Sequence, residues 1–295
     1  MPPASPGAAS LERMWAHYSE PSFIEVDGLR TAYRRKGVGE RLVYLHGGGL
    51  TRLWLPFLEE LAADHDVIAP EHPGFGDTGS PETLEDMHDY VLHYDALLDA
   101  FGLNDVHLVG HSLGGWIAAE LAVFYPRRFR SLMLITPAGL RVADRIAPPG
   151  LDSFRLEPEE ALAALLNGRS DRYTEFFEQE GFPGDVIQAF TESTTRAKLS
   201  WNPRYDRKLD HRLPRVATPT LVIGAEDDRL VTNAVARRYA ELIPGARLAV
   251  VAGAEGEPSS HLVQLEQPGD VAALVAAHIA ASTAPGARPS AEANS

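Results

Sequence analysis

Val106-His107-Leu108-Val109-Gly110-His111-Ser112-Leu113-Gly114-Gly115 runs from a short apolar stretch of strand character into a segment with the composition of a buried helix. One serine stands at the junction. Where a strand turns sharply into a helix, the residue at the tip belongs to neither element and presents its side chain outward. Small residues are required at 110, 114 and 115, because a Cβ at any of them would collide across so tight a turn. The spacing G-x-S-x-G therefore predicts a nucleophilic hydroxyl at the tip of the turn, on Ser112.

Outward from this turn, short runs of strand character recur at residues 22–26, 29–34, 42–45, 66–69, 106–109, 132–135, 220–223 and 247–251. From the third run onward they alternate with helical patterns. Such alternation predicts a mostly parallel eight-stranded sheet flanked by helices, the α/β class. The first two runs are separated only by Asp27-Gly28, a two-residue hairpin signal, so the sheet is expected to begin antiparallel. Between strands, residues 82–101 carry Leu84, Met87, Val91, Tyr94, Leu98 and Phe101 at steps of three and four, which predicts a helix with one apolar stripe facing the core. Residues 113–124 are apolar nearly all round, as befits a helix buried against a sheet, and Pro126 stops it.

The strand rhythm ceases after the sixth run. Residues 158–166, 171–180 and 185–199 read instead as successive helices with Gly or Pro between them. This predicts a helical cap at 140–212, inserted after the sixth strand and lying over the carboxyl ends of the strands, where open α/β sheets bind ligands. The core is then 22–139 together with 213–281. The Pro-, Ala-, Ser- and Gly-rich ends, 1–21 and 282–295, read as flexible segments.

Composition narrows the function classes. With 27 basic and 41 acidic residues among 295, the formal charge of −14 disfavours nucleic acid and anionic membrane surfaces as partners. No apolar run reaches the roughly 18 residues of a membrane span, and no basic segment leads into an apolar one at the N-terminus. There is no cysteine, which excludes a disulfide framework, a thiolate nucleophile and a cysteine metal site. The expectation is a cytoplasmic protein acting on a small molecule, with oligomeric state undetermined.

A serine hydroxyl is a weak nucleophile near neutral pH; it needs an imidazole to take its proton and a carboxylate to orient that imidazole. Two late strand ends are suitable. The run 220–223 leads into Gly224-Ala225-Glu226-Asp227-Asp228-Arg229-Leu230-Val231, which offers Asp227 and Asp228. The run 247–251 leads through a loop to His261. Among the other histidines, His107 lies in a strand, His88 and His93 on a helix, and His278 in the last helix, so only His261 follows the final strand in the required order of serine, acid and histidine.

His46-Gly47-Gly48-Gly49, the turn at Ser112, the loop 226–231, and His261 with Glu266-Gln267-Pro268 together resemble the α/β-hydrolase superfamily. The likeness is to its capped, esterase-like branch, which includes the C–C bond hydrolases of aromatic meta-cleavage pathways. It covers residues 22–139 and 213–281. The resemblance implies Ser112 as nucleophile, His261 as base and Asp228 as acid, with Asp227 as the alternative acid. It also implies an oxyanion hole from the N–H groups of Gly48 and Leu113, such donors being the largest single contribution in acyl transfer. Glu71-His72-Pro73-Gly74-Phe75-Gly76 is similar to the family's D-x-P-G-x-G turn with Glu71 in place of aspartate, and a structural role is expected. His46 and His111 are expected to hold loops. In the family a glycine usually precedes the histidine; here the acidic stretch Ala254-Glu255-Gly256-Glu257-Pro258-Ser259-Ser260 intervenes. Trp54, Trp116 and Trp201 are candidate pocket residues.

The expected function is that of a serine esterase cleaving small to medium carboxylic esters through an acyl-enzyme, with no metal and no organic cofactor. Two alternatives use the same residues. One is a C–C hydrolase of meta-cleavage type; apart from Arg196 and Lys198, the cap lacks a basic cluster for a substrate carboxylate, so esters are preferred. The other is a triad-retaining ligand sensor with slow turnover.

Overall fold

The computed structural model describes residues 17–142, 150–177, 183–201 and 205–283. Eight strands, β1 Ser22–Val26, β2 Leu29–Lys36, β3 Glu40–Leu45, β4 His65–Pro70, β5 Val106–His111, β6 Phe129–Ile135, β7 Thr220–Ala225 and β8 Arg247–Val251, form one sheet. Their order is β1-β2-β4-β3-β5-β6-β7-β8. The β1–β2 and β2–β4 pairs are antiparallel and all others parallel. Each expected run lies inside an observed strand. The hairpin closes with Val26 opposite Leu29, and Asp27 and Gly28 both take positive φ (48° and 82°), as a two-residue primed turn requires.

Side chains alternate across the sheet, and each face has its own apolar cluster. Val43, Leu45, Leu108, Leu132 and Leu134 point to one face; Leu42, Tyr44, Val109, Met133 and Ile135 point to the other. Helices α1 Pro56–Ala62, α2 Met87–Ala100 and α3 Leu113–Phe124 follow the early strands. The first face is covered by α2 through Tyr90 and Tyr94, by α3 through Ile117 and Leu121, and later by Tyr239. The second is covered by α1 through Phe57 and Leu61, and later by Val275 and Ile279. Covered on both sides, β5 is buried at all six positions.

Helix α2 is shorter than the stripe at 82–101 predicts. Asp86 caps it, accepting the His88 and Asp89 N–H groups while Asp89 reaches back to the Asp86 N–H, so the helix starts at Met87. Leu84 falls outside it yet packs on the same core.

Between β6 and β7 no described residue belongs to a strand. The segment contains α4 Pro158–Leu165, α5 Thr174–Phe177, α6 Pro183–Ser200 and α7 Leu209–Arg212. The expected helix at 171–180 is instead a 3₁₀ turn, Ser170–Tyr173, leading into α5, and 178–180 lie outside the described residues. After β7 come α8 Asn233–Leu242, α9 Val263–Glu266 and α10 Pro268–Thr283. Of the two expected flexible ends, 1–16 and 284–295 lie outside the described residues. Residues 17–20 depart from the expectation, because the Trp54 N–H donates to the His17 carbonyl at 2.8 Å and the Arg34 Nε to the Ser19 carbonyl at 2.5 Å. These bonds dock the segment beside β2. At the other end, 282 and 283 continue α10.

Candidate active site

Strand β5 ends at His111 and α3 begins at Leu113, leaving Ser112 between them at φ 53°, ψ −112°. A non-glycine residue there is strained by about 1–3 kcal/mol, and the surroundings must impose it. They do so through the backbone: the Ser112 N–H donates to Ile135 at 2.9 Å, while its carbonyl accepts from Trp116 at 3.1 Å and Ala138 at 3.0 Å. The steric demand falls hardest on two glycines. A Cβ at Gly110 would stand 2.3 Å from the Gly114 carbonyl oxygen, and one at Gly114 only 2.2 Å from that of Leu45. The second collision is with the end of β3, so Gly114 fixes helix-to-sheet approach as well as the turn.

Two loops reach Ser112 from the ends of β7 and β8. The His261 Nε2 accepts from the Ser112 hydroxyl at 2.9 Å, and its Nδ1–H donates to Asp228 Oδ2 at 2.7 Å. All three side chains are buried. The other carboxylate oxygen, Oδ1, accepts the N–H groups of Leu230 at 2.9 Å and Val231 at 2.8 Å. Asp228 is thus an acceptor on both sides, which holds the imidazole in the tautomer whose Nε2 is free to take a proton. Asp227 points elsewhere. Its carboxylate meets Arg229 at 2.9 Å with both side chains about half exposed.

The glycine loop after β3 forms another wall. Gly48 and Leu113 line the same cavity as Ser112 and His261. As the first residue of α3, Leu113 has no carbonyl one turn earlier to receive its N–H. A buried histidine pair braces the glycine loop. His46 donates from Nδ1 to the Gly47 carbonyl at 2.6 Å and accepts the His72 N–H at Nε2, while the His72 Nε2–H donates to the His46 carbonyl at 2.7 Å. The His72 Nδ1 accepts from the Tyr94 hydroxyl. Burial pushes His46 down to about 3 and His72 well below the ordinary histidine range, so both are neutral, as this donor and acceptor pattern demands. Burial holds His111 low as well; its Nε2 lies 3.3 Å from the His261 carbonyl. These histidines are supports. Glu71 pairs with Arg34 at 2.6 Å and accepts the Asp77 N–H, closing the turn 71–76 beneath the loop.

The cavity at Ser112 holds about 260 Å³, and its upper wall comes from the segment between β6 and β7 through Leu151, Phe154, Leu165, Phe177, Arg196 and Ser200. An adjoining cavity of about 580 Å³ shares Phe154, Leu165, Phe177 and Arg196. The Arg196 guanidinium lies 4.9 Å from the Phe154 ring centroid, its Nε is buried without an acceptor, and burial lowers its pKa. The three candidate tryptophans, Trp54, Trp116 and Trp201, line neither cavity. Trp54 and Trp116 are buried in the two core clusters, and Trp201 is 60% exposed just after α6. Bulk apolar residues served packing here, and the pocket takes Leu and Phe from the inserted segment instead. Spacing within that segment carries no signal for this, because the lining positions come from separate turns and helices.

No group of three or more His, Asp or Glu among the described residues is placed to hold a metal ion. No helix among them is long and apolar enough to cross a membrane.

A family model described as alpha/beta hydrolase fold matches residues 40–268. The chain is 31% identical over 268 residues to the dihydrolipoyllysine-residue acetyltransferase component of the acetoin cleaving system of Cupriavidus necator, covering 87% of this chain and 68% of that protein. It is 27% identical over 254 residues to a 2-hydroxy-6-oxo-2,4-heptadienoate hydrolase of Pseudomonas putida, covering 81% and 89%. Its fold is similar to that of a meta-cleavage product hydrolase from Pseudomonas fluorescens, with a TM-score of 0.70 at 24% identity, over 89% of this chain and 98% of that chain.

Proposed function

The chain belongs to the α/β-hydrolase fold family, and from that premise we propose that it is a serine hydrolase cleaving carboxylic esters of small to medium size through an acyl-enzyme. The observation that carries this reading is the buried relay from Ser112 through His261 to Asp228, with contacts of 2.9 and 2.7 Å. Residues 22–139 and 213–281 form the catalytic core, and 140–212 act as its cap. Ser112 Oγ attacks the ester carbonyl carbon as its proton passes to His261 Nε2. The oxyanion is held by the N–H groups of Gly48 and Leu113. Collapse breaks the bond to the alcohol oxygen, which takes the proton from His261. Water then attacks the acyl-enzyme, giving its proton to the same nitrogen, and Ser112 leaves reprotonated. Asp228 keeps its charge throughout and stabilises the imidazolium.

A second reading is favoured by Arg196. A guanidinium on an apolar wall with an unpaired buried nitrogen is suited to a carboxylate, which a dienoate substrate would bring. That reading is C–C hydrolysis with the same three residues.

Steady-state assay of the purified protein on nitrophenyl esters of increasing acyl length, and on a meta-cleavage dienoate, tests both, with Ser112→Ala as control. Sustained multiple turnover of esters, lost in Ser112→Ala, is expected. Undiminished ester turnover in that variant overturns the mechanism. Turnover confined to the dienoate replaces the first reading by the second.

A further inference from the structure

The acidic stretch before His261 takes no part in the steps above, nor does the turn 166–173 in the inserted segment, and the two meet. Helix α4 ends in a turn in which the Gly168 N–H reaches back to the Ala163 carbonyl at 2.7 Å and Asn167 takes φ 52°. Asparagine accepts that left-handed position more readily than most residues. The conformation turns the Asn167 Nδ2 to the Asp227 carbonyl at 2.9 Å, one residue before the proposed acid. Arg169 donates from one terminal nitrogen to the Pro258 carbonyl at 2.9 Å and to Glu266 Oε1 at 2.6 Å. Glu266 Oε2 in turn accepts the N–H of Ser260, the residue preceding His261, at 2.7 Å. This pair is sheltered: the Arg169 and Glu266 side chains are 12% and 3% exposed. Arg172 adds a two-pronged pair with Glu257 in which both partners are far more open to water.

We propose that Asn167 and Arg169 are positioning residues, through which the inserted segment holds the Asp228 and His261 loops in register. The inference rests on the reading of Ser112, His261 and Asp228 as the reacting relay. The core ties these loops to each other through Asp227 N–H to Ser259 at 3.0 Å and Glu226 N–H to the Ser259 hydroxyl at 2.9 Å. Those bonds join the two loops to each other, and from the end of β6 the Thr136 hydroxyl donates to the His261 carbonyl at 3.1 Å. The Arg169 and Asn167 contacts join them to a third body, and the acidic stretch supplies the reach. A charge-assisted bond between sheltered groups is worth more than an exposed one, and removing Arg169 leaves the Glu266 carboxylate buried without its cation.

The test uses the full chain and nitrophenyl acetate, a substrate small enough to make little use of the upper wall. Asn167→Gly deletes the side chain and its carboxamide without straining the backbone, since glycine takes φ 52° freely. Arg169→Met removes the guanidinium, Arg169→Lys keeps a cation, and Arg172→Met is the surface comparison. Arg169→Met is expected to lower kcat tenfold to about a hundredfold, the loss for displacing reacting groups by about 1 Å, with KM within about twofold. Asn167→Gly is expected to lower kcat about threefold to tenfold, Arg169→Lys to recover much of the loss, and Arg172→Met to stay within about twofold. Phosphonylation of Ser112 by a small organophosphate should slow in parallel with kcat. Wild-type kcat in folded Arg169→Met and Asn167→Gly overturns the proposal, as does a fall in melting temperature alone or a change confined to KM. If Arg169→Met does not fold, Asn167→Gly decides. Turnover surviving in Ser112→Ala identifies failure of the underlying reading instead.

Discussion

Replacing Asp228 by asparagine probes the relay where its geometry is most demanding. Both carboxylate oxygens face donors: Oδ2 meets the His261 Nδ1–H at 2.7 Å, and Oδ1 meets the N–H groups of Leu230 and Val231. Asparagine has one acceptor and one donor end, so no orientation satisfies all three. With its NH₂ toward His261, the ring must adopt the other tautomer, and its Nε2 then carries a proton and cannot take one from Ser112. With its NH₂ toward the loop, two backbone donors face a donor, at about 1–3 kcal/mol of stability for each group left unsatisfied. The first arrangement loses about 10⁴ in kcat, close to 5 kcal/mol of transition-state stabilisation. Asp227→Asn removes an exposed pair with Arg229, worth about 0–1 kcal/mol, so its loss should stay below about fivefold. The assay is kcat and kcat/KM on one nitrophenyl ester, with melting curves for both variants. Equal losses, or a larger one at 227, would refute the assignment of Asp228 as the orienting acid.

Further outcomes follow from packing and charge. Gly114→Ala places a Cβ 2.2 Å from the Leu45 carbonyl oxygen, and we expect destabilisation of about 3 kcal/mol or outright misfolding, read as a lowered melting temperature or insoluble protein. Trp201→Ala should leave KM and melting temperature almost unchanged, whereas Trp54→Ala should cost about 3–5 kcal/mol of stability in a denaturant titration while KM holds in whatever folds. Glu120, on α3, bonds to Arg212 at 3.0 Å beside Asp206 and is pushed up to about 7, chiefly by burial. A raised carboxyl pKa means that the native state binds a proton the unfolded chain has released, so stability falls as pH rises from about 4.5 to about 7 and is level above. Glu120→Gln should therefore match wild type near pH 4.5 and gain in relative melting temperature up to pH 7; an offset independent of pH would contradict this.

Much of the architecture was legible because it rests on local rules. The strand runs, the Asp27-Gly28 hairpin and the turn at Ser112 each depend on residues adjacent in sequence, and the structure keeps all of them. The errors fell where local and tertiary signals compete. The stripe at 82–101 overran because Leu84 is apolar and at helical spacing, but the Asp86 cap overrides periodicity. Trp54, Trp116 and Trp201 are pocket candidates by sequence because large aromatics are suited to both pocket and core, and only packing distinguishes the two.

For the site, order along the chain singled out Ser112, the acidic loop and His261, since the turn, the strand ends and the residue types are all written locally. Which aspartate faces His261 was decided in three dimensions, where the Leu230 and Val231 N–H groups fold around one carboxylate and leave Asp227 to Arg229 and water. The same holds for Arg196 over the cavity and for Arg169 and Asn167 against the two loops. Their partners lie 60 to 97 residues away in the chain for Asn167 and Arg169. A periodicity of two or 3.6 records which face a residue shows, and does not record what that face meets across the fold. Chemistry that needs one turn was therefore readable in the sequence, and chemistry that needs an encounter between distant loops became definite only when the sheet and the segment above it were assembled.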